Sequence, residues 1–185
     1  MEEPNSTRRL AAILAADVAG YTRLMEQDSD GTVAAWQTAR DRVIDPVIAE
    51  HSGRIVKHTG DGFLAEFSTV QDAVLCAITM QNNLAQGPLN FRMGVHLGDI
   101  IDDGQDIHGE GVNIAARIES IAEEGGINIS GDVYNQVRNR IEASYEDRGG
   151  QEVRNVSAPV QVYAIRLETD RLEETTQSSA TAAAN

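Results

Sequence analysis

The sequence is poor in cysteine, in aromatic residues and in positive charge, and each scarcity excludes a class of protein. Cys76 is the single cysteine, so an internal disulfide is impossible and a reduced, intracellular setting, the cytoplasm, is expected. Aromatic residues make up 4% of the chain, and 29 acidic against 15 basic residues give a formal net charge of -14. Electrostatic attraction to nucleic acid or to an anionic membrane surface is therefore not expected.

Long apolar runs are also missing from the sequence. No segment reaches the length of a membrane span, and the first nine residues (MEEPNSTRR) lack the apolar stretch of a secretory signal. A chain of 185 residues suits one domain. We expect a flexible N-terminus over residues 1–8, one domain over 9–167, and a polar segment over 168–185 that is a disordered tail or the start of a linker.

The apolar pattern predicts strands and helices in alternation. Strands are predicted over residues 9–17, 54–56, 63–67, 91–101, 127–129, 144–153 and 160–167, and helices over 28–51, 70–85, 111–122 and from about 130 onward. Pro46 removes a backbone donor from the first helix, so a kink, or a second helix capped by Asp45, is expected there. This order predicts an α+β fold with a ferredoxin-like βαββαβ core, extra strands and helices, and a mostly antiparallel sheet with helices packed on one face.

Two carboxylates stand next to glycines where strand-like segments end. Asp17 follows the apolar run at the start of residues 13–21 (ILAADVAGY), and Asp61 lies in the turn of the predicted hairpin in residues 57–67 (KHTGDGFLAEF). If the two strands are neighbours, the carboxylates meet at one edge of the sheet and suit Mg²⁺ or Mn²⁺ together with phosphates. The alternative is that each aspartate only caps a turn or a helix.

The predicted helix over residues 111–122 carries a polar pair. Asn113 and Arg117 are four residues apart, so they lie on the same helix face and suit a ribose and a phosphate. Val112, Ala115 and Ala116 are expected to face the core. The alternative is an ordinary solvated pair near a helix N-terminus.

Taken together, these residues resemble the signature of class III nucleotidyl cyclases. The matching positions, in order and spacing, are Asp17, Lys57, Asp61, Asp106, Asn113 and Arg117. The resemblance implies that Asp17 and Asp61, with the carbonyl of Val18, bind two divalent cations, Mg²⁺ or Mn²⁺. It also implies that the segment ending in Gly20, Tyr21 and Thr22 holds nucleotide phosphates through backbone amides; Tyr21 stands where Phe is commoner.

The resemblance assigns base selection to Lys57 and Asp106. Adenine presents an acceptor at N1 and a donor at its exocyclic amine, which a lysine and an aspartate complement. Guanine reverses this pattern, and guanylate-specific relatives usually carry Glu at the lysine position. A reversed edge leaves buried groups unpaired, at a cost on the order of 1–3 kcal/mol for each group. ATP is therefore the expected substrate.

The activity that the resemblance implies is that of an adenylate cyclase, which forms 3′,5′-cyclic AMP and pyrophosphate. Asn113 would orient the ribose, and Arg117 would stabilise charge on the α-phosphate in the transition state. In this family the metal aspartates of one subunit face the other residues of a second subunit, so a head-to-tail homodimer is expected. Arg154 lies near the position of a phosphate-binding lysine, and a regulatory domain beyond the C-terminus is a further expectation.

Three alternatives stay open. A guanylate cyclase is opposed by Lys57 and Asp106, and an RNA-binding module on a similar sheet is opposed by the acidity and the few aromatic residues. A catalytically silent regulatory or dimerisation domain would be favoured by a replaced site residue, and none is replaced.

The remaining charged residues receive plain interpretations. The four histidines show no paired spacing typical of a zinc site. His108 is interpreted as an exposed loop residue, and Asp99, Asp102 and Asp103 are interpreted as a solvated loop beside a turn.

Overall fold

The structure is a computed structural model that describes residues 5–167, in which strands and helices alternate along the chain. The strands are β1 (Thr7–Val18), β2 (Gly53–His58), β3 (Gly62–Phe67), β4 (Phe91–Asp102), β5 (Ile107–His108), β6 (Ile127–Ser130), β7 (Ser144–Gln151) and β8 (Val160–Arg166). The α-helices are α1 (Tyr21–Gln27), α2 (Ser29–Ala39), α3 (Asp45–Glu50), α4 (Val70–Leu84), α5 (Glu110–Ser120) and α6 (Gly131–Val137).

All of these strands belong to one sheet. Their order is β2-β3-β1-β4-β6-β8-β7, and β5 pairs with the end of β4. Within the described residues β4 and β6 run parallel and the other neighbours run antiparallel. The predicted mostly antiparallel α+β sheet is therefore confirmed. β1 is central and pairs with β4 over its whole length, from Thr7 opposite Asp102 to Val18 opposite Phe91.

The two faces of β1 pack against different helices. Alternate residues of a strand point to opposite faces. Ala12, Leu14 and Ala16 lie in the larger apolar cluster, with residues of α2, α3, α4 and α6, whereas Ile13 and Ala15 lie in a second cluster with residues of α5. The expectation that helices cover one face is wrong, because α5 lies on the opposite face from the others.

Gly94 explains how α5 can lie so close to the sheet. It faces α5 from β4, and a Cβ atom at this position would lie 2.6 Å from the amide nitrogen of Glu119 and 2.8 Å from the carbonyl oxygen of Ala115. Both are backbone atoms of the helix, so they cannot move aside as a flexible side chain could. The small residues on this face of β4 thus allow α5 to pack closely against a face that was expected to carry no helix.

The helical segment around Pro46 is interrupted as predicted. A π-helical turn, Arg40–Ile44, joins α2 to α3, and the amide of Asp45 donates to the carbonyl of Arg40. Asp45 is the first residue of α3 rather than its cap, and its side chain makes no capping hydrogen bond. The π turn lets the helical backbone continue although Pro46 has no N–H group to donate. The short helix α1 was not predicted.

The described boundaries differ slightly from the predicted ones. β1 begins at Thr7, so residues 7 and 8 belong to the sheet and not to a flexible N-terminus. The predictions for residues 1–4 and 168–185 concern segments outside the described residues. Among the helices of residues 5–167, none has both the length and the apolar character that crossing a membrane requires.

We predict that Gly94→Ala lowers the free energy of unfolding by about 1–3 kcal/mol, because the added methyl group forces α5 away from the sheet. Chemical denaturation measures the change. Gly87→Ala is the matched control, since its Cβ would meet only the carbonyl of Leu84 at 3.5 Å, an ordinary contact. Equal stability of the two variants would contradict the packing of α5 described above.

Candidate functional site

Asp17 and Asp61 lie at the same edge of the sheet. Asp17 is opposite Gly62 across β1 and β3, and the amide of Val18 donates to the carbonyl of Asp61 at 2.8 Å. The amide and the carbonyl of a strand residue point to the same side, so the carbonyl oxygen of Val18 also lies on the Asp61 side. The predicted neighbouring of the two strands is confirmed.

Gly62 permits this close approach of β3 to β1. A Cβ atom at Gly62 would lie 2.0 Å from the carbonyl oxygen of Ala16 and 2.9 Å from the Cα of Asp17. The turn itself is closed by the amide of Thr59, which donates to the carbonyl of Gly62 at 2.8 Å. A larger residue after Asp61 would therefore push the two aspartates apart.

Arg92 of β4 holds the carboxylate of Asp17 from the other side. Its Nε and Nη2 donate to the two carboxylate oxygens at 3.0 and 2.7 Å, and its Nη1 donates to the carbonyl of Ser120 at 2.9 Å. Such paired contacts fix both partners in orientation. Arg92 thereby links β1 to the end of α5.

Glu119 adds a third carboxyl group to this cluster. Its side chain is 7% exposed, and its Oε1 is buried without a hydrogen-bond partner in the described structure. Burial raises the pKa of the Glu119 carboxyl well above its ordinary value, and contact with Asp17 and the charge of Asp61 raise it further, against the opposing effect of Arg92. Glu119 is therefore a proton-bearing group beside Asp17.

The donor atoms of this cluster fit a hard divalent cation. Asp17 and Asp61 supply carboxylate oxygens and Val18 supplies a carbonyl oxygen, which are ligand types that Mg²⁺ and Mn²⁺ prefer. The orphaned Oε1 of Glu119 shows that the local polar groups are not satisfied by protein alone. Among residues 5–167 no group of three or more His, Cys, Asp or Glu side chains is arranged to hold an ion. Phosphate or water oxygens would have to complete the coordination.

Lys57 and Asp106 contact each other. The Nζ of Lys57, the single lysine of the chain, donates to Oδ2 of Asp106 at 2.9 Å, and the two residues are 49 positions apart in sequence. Burial by itself would raise the pKa of Asp106, but hydrogen bonds from Lys57 and from the amide of Ile107 outweigh it and lower the pKa. One charged donor and one charged acceptor therefore stand side by side, with 41% and 29% of their side chains exposed.

Asn113 and Arg117 project from the outer face of α5. Both are exposed, and Arg117 donates from Nε to the carbonyl of Glu152 at a long 3.4 Å. Within the described part of the chain no carboxylate pairs with Arg117. Ala116 is exposed as well, so its predicted place in the core is wrong. The buried face of α5 consists of Gly111, Ile114, Ala115, Ile118 and Glu119.

The segment predicted to hold phosphates begins helix α1. Gly20 precedes the helix with a φ of +65°, a conformation that glycine adopts without strain. The first intrahelical bond runs from the amide of Leu24 to the carbonyl of Gly20, so the amides of Tyr21 and Thr22 have no partner within the helix. Tyr21 also packs against the larger apolar cluster.

Arg154 is exposed in the loop between β7 and β8. The preceding residue, Val153, packs against Ile114 and Ile118 of α5. The loop therefore lies beside α5, on which Arg117 is also placed. Arg154 therefore adds a second positive side chain to the region of the surface where Arg117 lies.

Arg92 and Glu119 were not among the residues predicted from the sequence to form the site. Two signals could have found them. Arg92 alternates with the apolar residues Phe91 and Met93, so it lies on the polar face of the predicted strand. Glu119 falls on the apolar stripe of α5, eight positions after Gly111, where a charged residue is uncommon without a special reason.

Asp103 is exposed in the loop after β4, as expected, whereas Asp102 is the last residue of β4, and the carboxylates of both are hydrogen-bonded. Asp102 accepts a hydrogen bond from Arg9 at 2.8 Å, and Asp103 contacts Nε2 of His108 at 3.1 Å. His108 is exposed, as expected, but it bonds to Asp103 and not to the neighbouring Asp106.

Comparisons with known proteins agree on one family. The model described as the Adenylate and Guanylate cyclase catalytic domain matches residues 4–167. "Putative adenylate cyclase 3" of Rhizobium meliloti (strain 1021) is 40% identical over 171 residues, which cover 88% of this chain and 29% of that protein. The chain thus spans under a third of that relative's length.

Two solved structures are similar over most of the chain. The adenylate/guanylate cyclase/hydrolase from Silicibacter pomeroyi has a TM-score of 0.83 and 41% identity, covering 87% of this chain and 98% of that one. The adenylyl cyclase CyaB from P. aeruginosa has a TM-score of 0.77 and 25% identity, covering 88% of this chain and 96% of that one. The fold and the family agree, whereas the choice between adenylate and guanylate is not decided by these names.

We predict that Glu119→Gln weakens the pH dependence of stability. The native Glu119 carboxyl retains a proton that the unfolded chain releases above about pH 4.5, so its stabilising contribution is complete below that pH and is lost as the pH rises. For one proton, the wild-type free energy of unfolding should fall more steeply by about 1.4 kcal/mol per pH unit between about pH 5 and pH 8.

Chemical denaturation over that pH range measures the slope. Glu110→Gln, which changes an exposed glutamate in the first turn of the same helix, is the matched control and should keep the wild-type slope. Parallel curves for Glu119→Gln and the wild type would show that Glu119 holds no extra proton.

Proposed function

The chain belongs to the adenylate and guanylate cyclase catalytic domain family, and from that premise we propose that it converts ATP to 3′,5′-cyclic AMP and pyrophosphate. The observation that carries the choice of ATP is the contact of 2.9 Å between Lys57 and Asp106. It places a donor and an acceptor together, which is the complement of the adenine edge. Guanine would meet the donor with its N1 and amine hydrogens and leave groups unpaired.

The reaction joins two parts of one nucleotide. The ribose 3′-oxygen bonds to the α-phosphorus, the bond from that phosphorus to the pyrophosphate breaks, and the hydroxyl proton passes to solvent. Asp17, Asp61 and the carbonyl of Val18 would hold two Mg²⁺ or Mn²⁺ ions, which supply Lewis acidity for the hydroxyl and offset the phosphate charge. Asn113 orients the ribose, and Arg117 stabilises the charge that develops on the α-phosphate.

Arg92 has a place in this scheme because it covers both oxygens of Asp17. A carboxylate has about four lone-pair sites, so a cation can bind the oxygens of Asp17 while Arg92 stays paired with them. Arg92 would then hold the orientation of this carboxylate. The free amides of Tyr21 and Thr22 would bind phosphate oxygens, and Arg154 would add charge near the outer phosphates.

Within one copy of the chain, the two halves of the proposed site face different directions. Glu119 points from α5 toward Asp17, whereas Arg117 lies two residues earlier and therefore about 200° away around the helix. Arg117 and Asn113 face outward instead. A second copy, arranged head to tail, would supply them to the Asp17 and Asp61 of the first. This geometry supports a homodimer with two equivalent sites.

A regulatory domain beyond the C-terminus and a cytoplasmic location stay predictions of the sequence.

We predict that the purified chain with Mn²⁺ forms cyclic AMP from ATP in preference to cyclic GMP from GTP. Asp61→Asn should lower kcat on the order of 100-fold or more, because bound cations stabilise the transition state by several kcal/mol. Product formation measured by chromatography checks both. Asp30→Asn, an exposed change in α2, should keep the wild-type rate. Preferred cyclic GMP formation would indicate the guanylate alternative, and no product at all would indicate a silent domain.

The shared site predicts complementation between inactive variants. Asp61→Asn and Arg117→Ala each disable both sites of their own homodimer, but a mixed dimer contains one intact site. An equal mixture should therefore recover roughly a quarter of the wild-type activity. A mixture of Asp61→Asn with Asp17→Asn, which damages the same half of the site twice, should recover none. Recovery in neither mixture would argue against a site shared between subunits.

A further inference from the structure

We propose that Asp103 is a positioning residue for base selection, and that its carboxylate shapes the loop that holds Asp106 against Lys57. This inference rests on the proposed function, since Asp106 must be the residue that reads the base. It adds a structural role to a residue that is exposed in the loop after β4.

The carboxylate of Asp103 organises the backbone of Asp106 directly. Its Oδ1 accepts hydrogen bonds from the amides of Gln105 and Asp106 at 2.9 and 2.7 Å. The amide of Asp103 donates to the carbonyl of Asp106 at 3.2 Å. Asp106 is therefore held by Asp103 through both its amide and its carbonyl.

The other carboxylate oxygen of Asp103 connects the loop to β5, the strand that follows it. Oδ2 contacts Nε2 of His108 at 3.1 Å, and His108 pairs with Ile101 where β5 joins β4. Hydrogen bonds from the amides of Asp106 and Gln105, with the contact from His108, hold the pKa of Asp103 at about 2. The group is thus a fixed anion in the centre of the loop.

The start of the loop is tied to the sheet by the preceding residue. Asp102 accepts from the amide of Gly104 at 2.8 Å and from Arg9 of β1 at 2.8 Å. Arg9 also donates to Glu66 of β3, at 2.8 and 2.9 Å. The loop between β4 and β5 is therefore anchored by hydrogen bonds that link three strands, β4, β1 and β3.

This framework determines which oxygen of Asp106 is available. With the backbone held, Oδ1 of Asp106 accepts from the amide of Ile107 at 2.8 Å, and Oδ2 is left to face Lys57 at 2.9 Å. Ile107 is 1% exposed and anchors the far side. Discrimination between two purines depends on the position of one acceptor, so loss of the Asp103 contacts should reduce selectivity more than it reduces turnover.

The kinetic test compares ATP with GTP for Asp103→Ala, Asp103→Asn and the wild type. Asp103→Ala should lower the ratio of kcat/KM values for the two nucleotides by roughly 5- to 100-fold, mainly through a higher KM for ATP. Asp103→Asn keeps one acceptor oxygen and should fall between. Asp99→Ala changes an exposed aspartate of β4 whose side chain makes no hydrogen bond in the described structure, and it is the matched control. Lys57→Glu is the benchmark for lost discrimination. An unchanged ratio in Asp103→Ala would overturn the proposal.

A second measurement needs no activity and uses the fact that Lys57 is the single lysine. Reductive methylation with ¹³C-formaldehyde gives one side-chain NMR signal, separate from that of the N-terminal amine. Asp106→Asn defines the signal of an unpaired Lys57. Asp103→Ala should move the signal toward that position, whereas Asp99→Ala should leave it in place. A signal identical to that of the wild type would overturn the proposal.

The two measurements separate this inference from the proposed function. If the wild type forms no cyclic nucleotide, the proposed function fails, and the Lys57 signal still tests whether Asp103 positions Asp106. If the wild type is active and Asp103→Ala keeps both its selectivity and its Lys57 signal, only the role of Asp103 is lost.

Discussion

The register of β1 between β3 and β4 is the constraint on which the site depends. It sets Asp17 opposite Gly62 on one side and opposite Arg92 on the other. Because alternate residues of a strand face opposite sides, a shift of one position would turn Asp17 toward the face covered by α4. The buried residues 11–16 resist such a shift, since both faces of β1 are packed against apolar groups. The apolar packing of β1 thus also fixes the position of Asp17.

The charge balance of the cluster is the second feature of the site. Asp17, Asp61 and Glu119 lie together, and Arg92 is the cation that pairs with Asp17. A buried carboxylate is costly unless it is paired or keeps its proton, and here Arg92 pairs with Asp17 while Glu119 keeps a proton. The arrangement leaves negative groups in excess, which suits a divalent cation and phosphate. The net negative charge of the chain does not reveal this local site, because net charge governs long-range attraction and not the arrangement of a few side chains.

Helix α5 divides the functional residues into two sets. Its inner face supplies Glu119 to the cluster around Asp17, and its outer face presents Asn113 and Arg117 to solvent. The same fold supports relatives named for adenylate and for guanylate, so the fold cannot decide the substrate. Under the proposed function that decision belongs to Lys57 and Asp106, and the hydrogen bonds of Asp103 hold the loop on which Asp106 stands.

The residue order was enough to predict most strands and helices, the hairpin around Asp61 and the break at Pro46. Hydrophobic period and turn chemistry are local properties, readable within a few residues. The same holds for the six positions that resemble the cyclase signature, which lie in short segments. The place of helix α5 on the second face of the sheet was not predicted, because the apolar period shows which side of a helix is buried and not which face of a sheet it meets. Arg92 as the partner of Asp17, 75 positions away, could not be predicted, and only the resemblance brought Lys57 and Asp106 together across 49 positions. Such contacts arise from the packing of strands and loops distant in sequence, and no local pattern encodes them.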